Sequence, residues 1–179
     1  MKRFVAFLRG MNLGGRRITN QDLCAHVEAL GFEKVSAFLA SGNVLFAADR
    51  GTPAQIAKRI AEGLREALDY DVPTFVRSAK EVIAIAAHQP FDTAVGRDGG
   101  KLQVALLAKK PTAAATVKTL TLATEEDRLA IHGRELYWLP RGKLTESDLD
   151  FKAIEKAVGV MTVRTHRTLE RIAAKYSAP

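Results

Sequence analysis

The chain has 179 residues, 47% of them apolar and 26% charged, which is the balance of a folded globular protein and excludes a disordered one. Its formal net charge is +7, with 11 Lys/Arg against 8 Asp/Glu in residues 1–77 and 16 against 12 thereafter. That balance permits anionic partners such as nucleotides or nucleic acid without requiring one, because a well-solvated small domain often carries as much charge. The single cysteine, Cys24, excludes an internal disulfide, and the apolar run Phe4 to Leu8 is too short for a signal peptide or a membrane span. The expected compartment is the cytoplasm, with no membrane partner.

In chain order, Phe4 to Arg9 is apolar and β-prone and stops at Gly10, as a buried central strand does. A glycine-rich loop runs from Gly10 to Arg17. Thr19 and Asp22 have capping-box spacing, and Leu23, Val27 and Leu30 share one helical face that ends at Gly31. Val35 to Ala40 and Val44 to Ala47 flank Ser41-Gly42-Asn43 and predict a β-hairpin. Thr52-Pro53-Ala54-Gln55 opens a helix carrying Ile56, Ile60, Leu64 and Leu68. Val72 to Arg77 reads as a fourth strand, and Pro73 within it predicts a sheet edge.

Ser78 and Glu81 cap a linking helix, and residues 92–100 form a loop. The pattern then restarts. Strands are predicted at Leu102 to Ala108, Arg128 to His132, Glu135 to Leu139 and Met161 to Arg164. Helices are predicted at Thr112 to Leu120, after a Thr145/Asp148 cap, and at the C-terminus with Leu169, Ile172 and Tyr176. Glu125-Glu126-Asp127 reads as a solvated loop. The alternation around Tyr137 and Trp138 buries one of the two.

The fold expected is therefore α+β, with two tandem ferredoxin-like (β-α-β-β-α-β) subdomains and antiparallel sheets. The first covers residues 1–77, a linking helix and loop cover 78–100, and the second covers 101–179 with an added C-terminal helix.

The best candidate site is the loop Gly10-Met11-Asn12-Leu13-Gly14-Gly15-Arg16-Arg17. It joins a strand to a helix start, where backbone amides and a partial positive charge favour an anion, and its arginines can grip phosphate. Gly10 and Gly15 have P-loop spacing, but Arg16 and Arg17 replace the lysine and the Ser/Thr, and the element order is wrong, so that reading is rejected. The plain alternative is a glycine turn with two solvated arginines. Ser41, Gly42 and Asn43 are either a tight turn or part of the same pocket. Arg9 and Arg164 complete the expected ligand set. Lys143, Arg164, His166, Arg167 and Arg171 form a basic C-terminal group whose plain reading is a solvated face.

His26, His88, His132 and His166 lack metal-ligand spacing, Cys24 sits beside a helix's apolar face, and no nucleophile elbow occurs. No metal or cofactor is expected. The expected ligand is a phosphate-bearing small molecule or nucleic acid. The alternatives are an enzyme on a small anionic substrate, with Asn12, Ser41 or His166 positioning groups, and an interaction protein without a ligand. Monomer and homodimer remain open.

Phe4 to Gly15 (FVAFLRGMNLGG), Ser41-Gly42-Asn43-Val44, Gly133-Arg134-Glu135-Leu136-Tyr137 and Lys143-Leu144-Thr145 resemble the bacterial family called domain of unknown function 1697. The resemblance implies an α+β fold with tandem ferredoxin-like parts and carries no activity with it. Family members read Thr-x-Arg-Asn-Trp near the end, whereas Thr162-Val163-Arg164-Thr165-His166 replaces the Asn-Trp pair. Ser147-Asp148 departs as well, since members continue Lys-Leu-Thr into Asn. Where the replaced residues shape a pocket in the family, the resemblance implies a different ligand or activity here.

Overall fold

The computed structural model describes residues 1–11, 17–39, 42–93 and 95–177. The chain divides into two compact units, Met1–Val82 and Ile83–Pro179. Each builds one four-stranded antiparallel sheet, so the fold is α+β.

In the first unit the order is β1 (Lys2–Leu8), α1 (Asn20–Ala29), β2 (Glu33–Ala37), β3 (Asn43–Ala48), α2 (Pro53–Leu68) and β4 (Thr74–Ser78), followed by α3 (Ala79–Ala87). The sheet runs β2-β3-β1-β4. β1 is central because its last five residues are all buried and pair on both sides. α1 starts where the Thr19 hydroxyl accepts the Asp22 N–H. α2 starts at a capping box in which Thr52 and Gln55 satisfy each other's backbone, supplying orphan amides that otherwise stay unpaired. Both helices lay their apolar faces on one side of the sheet. Leu23, Val27, Ile56, Ile60 and Leu64 pack there with Phe4, Ala6, Val44 and Phe46.

The second unit repeats this order with β5 (Gln103–Leu107), α4 (Ala113–Leu120), β6 (Asp127–His132), β7 (Glu135–Pro140), α5 (Phe151–Val158), β8 (Met161–Thr165) and α6 (His166–Ser177). Its sheet runs β6-β7-β5-β8. Ala105, Leu107, Leu136, Trp138 and Ile154 lie in its helix-side core.

Several expectations need correction. β2 begins two residues earlier than predicted and ends at Ala37, short of Leu39, which takes a left-handed φ of 61°; within the strand Lys34 has a φ of 52° and the register with β3 shifts between Glu33 and Ser36. Pro73 precedes β4 instead of lying within it, although β4 does form a sheet edge. α5 is capped by Asp150, whose carboxylate accepts the Ala153 N–H, and not by Thr145 and Asp148. Thr145 lies instead in a 3-10 turn at Leu144–Glu146.

Asp127 is not a solvated loop residue. It is the first residue of β6 and 1% exposed, and it accepts hydrogen bonds from Trp138 Nε1 (2.6 Å) and Ser147 Oγ (2.9 Å). Tyr137 and Trp138 are both buried, one on each face of β7. Among the described residues, no helix is long and apolar enough to cross a membrane.

Candidate functional site

The predicted loop lies at the end of the first sheet where β1 stops and β3 and β4 begin. Residues 12–16 and 40–41, and so Asn12, Gly14, Gly15, Arg16 and Ser41, lie outside the described residues. What surrounds them is well defined. The ladder between β1 and β3 continues one step past the strands, with the Leu8 N–H donating to the Gly42 carbonyl at 2.8 Å. On β1's other flank, the Arg9 N–H donates to the Pro73 carbonyl at 3.0 Å. Gly10 then turns the chain with a φ of 73°, a conformation that costs glycine little.

Met11 is buried, and its carbonyl accepts the Tyr70 hydroxyl at 3.1 Å. The chain is described again at Arg17, which is exposed, and Ile18 packs on the core before the Thr19 cap. Both ends of the loop are thus fastened.

Gly42 stands on the other wall. Its φ is 70°, and a Cβ there would come within 3.1 Å of Met11 Cε and 3.2 Å of the Leu8 carbonyl oxygen. The hairpin connection and the loop after β1, two separate motifs in the sequence, are neighbours because this glycine lets them approach. Asn43 belongs to β3 and not to the turn. It is fully buried, and its Nδ2 donates to the Phe38 carbonyl at 2.9 Å, closing the hairpin from within. Arg9 is half-buried. The helix end is less available to an anion than its sequence suggests. The Asp22 carboxylate already occupies the first turn of α1, where it accepts the Thr19 hydroxyl at 2.7 Å.

Arg164 belongs to the second unit, on β8. It is 8% exposed, its Nη1 donates to Thr162 Oγ1 and to the Val163 carbonyl, both at 2.8 Å, and burial pushes its guanidinium down to about 10. It remains charged at neutral pH. The basic C-terminal group is split. Arg164 and His166 are buried, while Lys143, Arg167 and Arg171 are exposed.

Around Arg164 the structure gathers groups that are scattered in the sequence. Tyr137 is fully buried and His166 is 4% exposed. Neither the Tyr137 hydroxyl nor His166 Nε2 has a hydrogen-bond partner among the described residues. The His88 ring stacks on His132 at 4.3 Å and leans on Tyr137 at 5.0 Å. Burial, and then the neighbouring His132, hold His88 below the usual histidine range. Burial, and then Glu135, push the Tyr137 phenol up. Periodicity could not reveal this cluster, since each residue alone reads as an ordinary strand or linker position. The nearest signal was the departure from the family pattern at His166.

Elsewhere in this unit a cavity of about 280 Å³ is lined by Arg97, Arg128 and Arg141. Its cations are already engaged. Arg141 pairs with Asp98 and Glu126, Arg97 binds the Glu125 carbonyl, and Arg128 stacks over Phe91. Among the described residues, no group of three His, Cys, Asp or Glu side chains could hold a metal ion.

The chain is similar in fold to a solved structure, the conserved bacterial protein SP0830 from Streptococcus pneumoniae. The TM-score is 0.74 at 18% sequence identity, and the match covers 99% of each chain. Among curated proteins, none matches. The family model "Protein of unknown function (DUF1697)" matches residues 1–137, and the chain belongs to that family.

Proposed function

We propose that the protein binds a phosphate-bearing ligand, a nucleotide or nucleic acid, between the loop after β1 and the connection from β2 to β3. The observation that supports this reading is the Leu8 to Gly42 main-chain bond of 2.8 Å. It holds the start of the loop after β1 against the end of the connection into β3 at one end of the sheet, and Arg9 and Arg17 stand in sequence at the two ends of that loop. Guanidinium groups recognise phosphate through paired, charge-assisted hydrogen bonds. The attraction comes mainly from these cations, because Asp22 already answers the dipole of α1.

We also read the two units as tandem ferredoxin-like copies. Each has the order β-α-β-β-α-β, and each sheet has its fourth strand at an edge beside its first. In such a fold the ends of the central strands present loops to a ligand while the helices seal the opposite sheet face.

The test is titration with nucleotides and short oligonucleotides at low salt. Replacing Arg16 and Arg17 together by alanine is expected to weaken binding about tenfold or more, as loss of a charged hydrogen bond does. Nucleic-acid binding should also fall steeply with salt. Binding that ignores the double substitution refutes the reading.

A further inference from the structure

The second sheet has one face toward α4 and α5. On the other face, the pairing of β7, β5 and β8 sets side chains in transverse rows. Val104 sits between Tyr137 and Arg164, and Leu106 sits between Glu135 and Thr162. The ladder runs one step further, where the His166 N–H donates to the Leu102 carbonyl at 2.9 Å. Because side chains alternate along a strand, Thr162, Arg164 and His166 all belong to this face. Tyr137, Arg164 and His166 therefore surround Val104.

The first unit shows the same face built without this polarity. There Val5 holds the central place, between Leu45 and Arg77. Arg77 is 1% exposed, and its Nη1 donates to the carbonyl of the preceding residue, Val76, at 3.1 Å. Arg164 does the same to Val163. The buried arginine is thus common to both copies and explained by its own strand. Tyr137 and His166 are not. Their counterparts are Leu45 and Ala79, the first residue of α3. The fold therefore has an apolar solution for these two positions. The second unit departs from it by burying a hydroxyl and a ring nitrogen that no described group satisfies. A buried polar atom left without a partner costs stability, and native proteins keep few of them.

Arg164 supplies the cation beside these two groups. The rings of His88, His132 and His166 gather around it, with burial favouring the neutral form of His88, and so do Glu135 on β7 and Glu170 on α6, which lies 3.5 Å from His166 Nδ1. The half-exposed His88 stacks between the exposed His132 and the buried Tyr137, at the margin between this cluster and solvent. We propose that this sheet face is a second ligand site, in which the Tyr137 hydroxyl, His166 Nε2 and the Arg164 guanidinium receive a small oxyanion of the phosphate or carboxylate kind. It is independent of the loop site in the first unit, and no residue is shared.

The full-length protein is titrated separately with inorganic phosphate and with acetate, following the histidine ring signals by NMR and the melting temperature. Perturbation of the His166 ring with a rise in melting temperature is expected, and the probe that binds more tightly assigns the class. Tyr137→Phe removes only the hydroxyl and should weaken that binding about tenfold or more. Arg16→Ala with Arg17→Ala should leave it unchanged. The proposal is overturned if neither probe moves the His166 ring. It is equally overturned if Tyr137→Phe stabilises the free protein and leaves the titration unaltered, since the hydroxyl is then a simple packing defect. Binding abolished by the arginine pair belongs to the loop and overturns it too.

Discussion

Replacing Gly42 by alanine tests the close approach on which the loop reading rests. Alanine at a φ of 70° costs about 1–2 kcal/mol in the left-handed region. The stiffer unfolded chain returns about 0.4–1 kcal/mol. The new methyl would also stand 3.1 Å from Met11 Cε, which can swing aside, and 3.2 Å from the Leu8 carbonyl oxygen, which is held at the end of β1 and cannot. A net loss of about 1–2 kcal/mol is expected, typical of a backbone substitution at a strained position. Gly99→Ala is the control, because its φ is 82° and nothing lies within 4 Å of the added Cβ. Equilibrium urea denaturation of both variants separates the conformational cost they share from the steric cost that only Gly42 has. Nucleotide binding should weaken in Gly42→Ala and not in Gly99→Ala. If the two variants lose equal stability and bind alike, the hairpin connection and the loop are not held together at this point, and the reasoning fails.

Two more outcomes follow from the second unit. Asp127→Ala strips Trp138 Nε1 and Ser147 Oγ of their buried acceptor and should cost about 3–6 kcal/mol, at about 1.5–3 for each bond to a charged group. The only tryptophan reports that loss directly by fluorescence in a urea titration, and a loss below about 1 kcal/mol contradicts the buried network. The raised Tyr137 phenol means that the folded protein keeps a proton the unfolded chain releases near the ordinary tyrosine value of about 10. Stability contributed by this residue is therefore complete below that pH and lost as pH rises beyond it. Phenolate absorbance should show one of the three tyrosines titrating late. A stability that climbs through the same range contradicts the burial of the ring.

Much of the element order was legible because its signals are local. The Thr52 to Gln55 box, the Thr19 cap and the glycine after α1 each act within one turn of chain. The errors came where two local signals competed or where a distant residue decided. Thr145 and Asp148 have capping spacing, but Thr145 lies in the 3-10 turn at Leu144–Glu146 and the helix starts later, at Asp150. Asp127 sits in an acidic run that reads as solvated, yet Trp138 and Ser147 draw it inside from 11 and 20 residues away. Asn43 reads as turn chemistry but is spent closing its own hairpin. The Tyr137, Arg164 and His166 grouping exists only through the pairing of three strands, and no spacing along the chain encodes it.

The irregular pairing of β2 has a consequence for crowding. An outer strand offers unpaired amides and carbonyls on which a foreign chain can template itself. On β2 that margin is broken at Lys34, where the backbone kinks out of step with β3, so an invading segment loses its hydrogen-bond rhythm and meets a cation. Its counterpart β6 keeps unbroken register with β7 across all six residues. Of the two outer hairpin strands, β6 is the one left able to zip onto a neighbour.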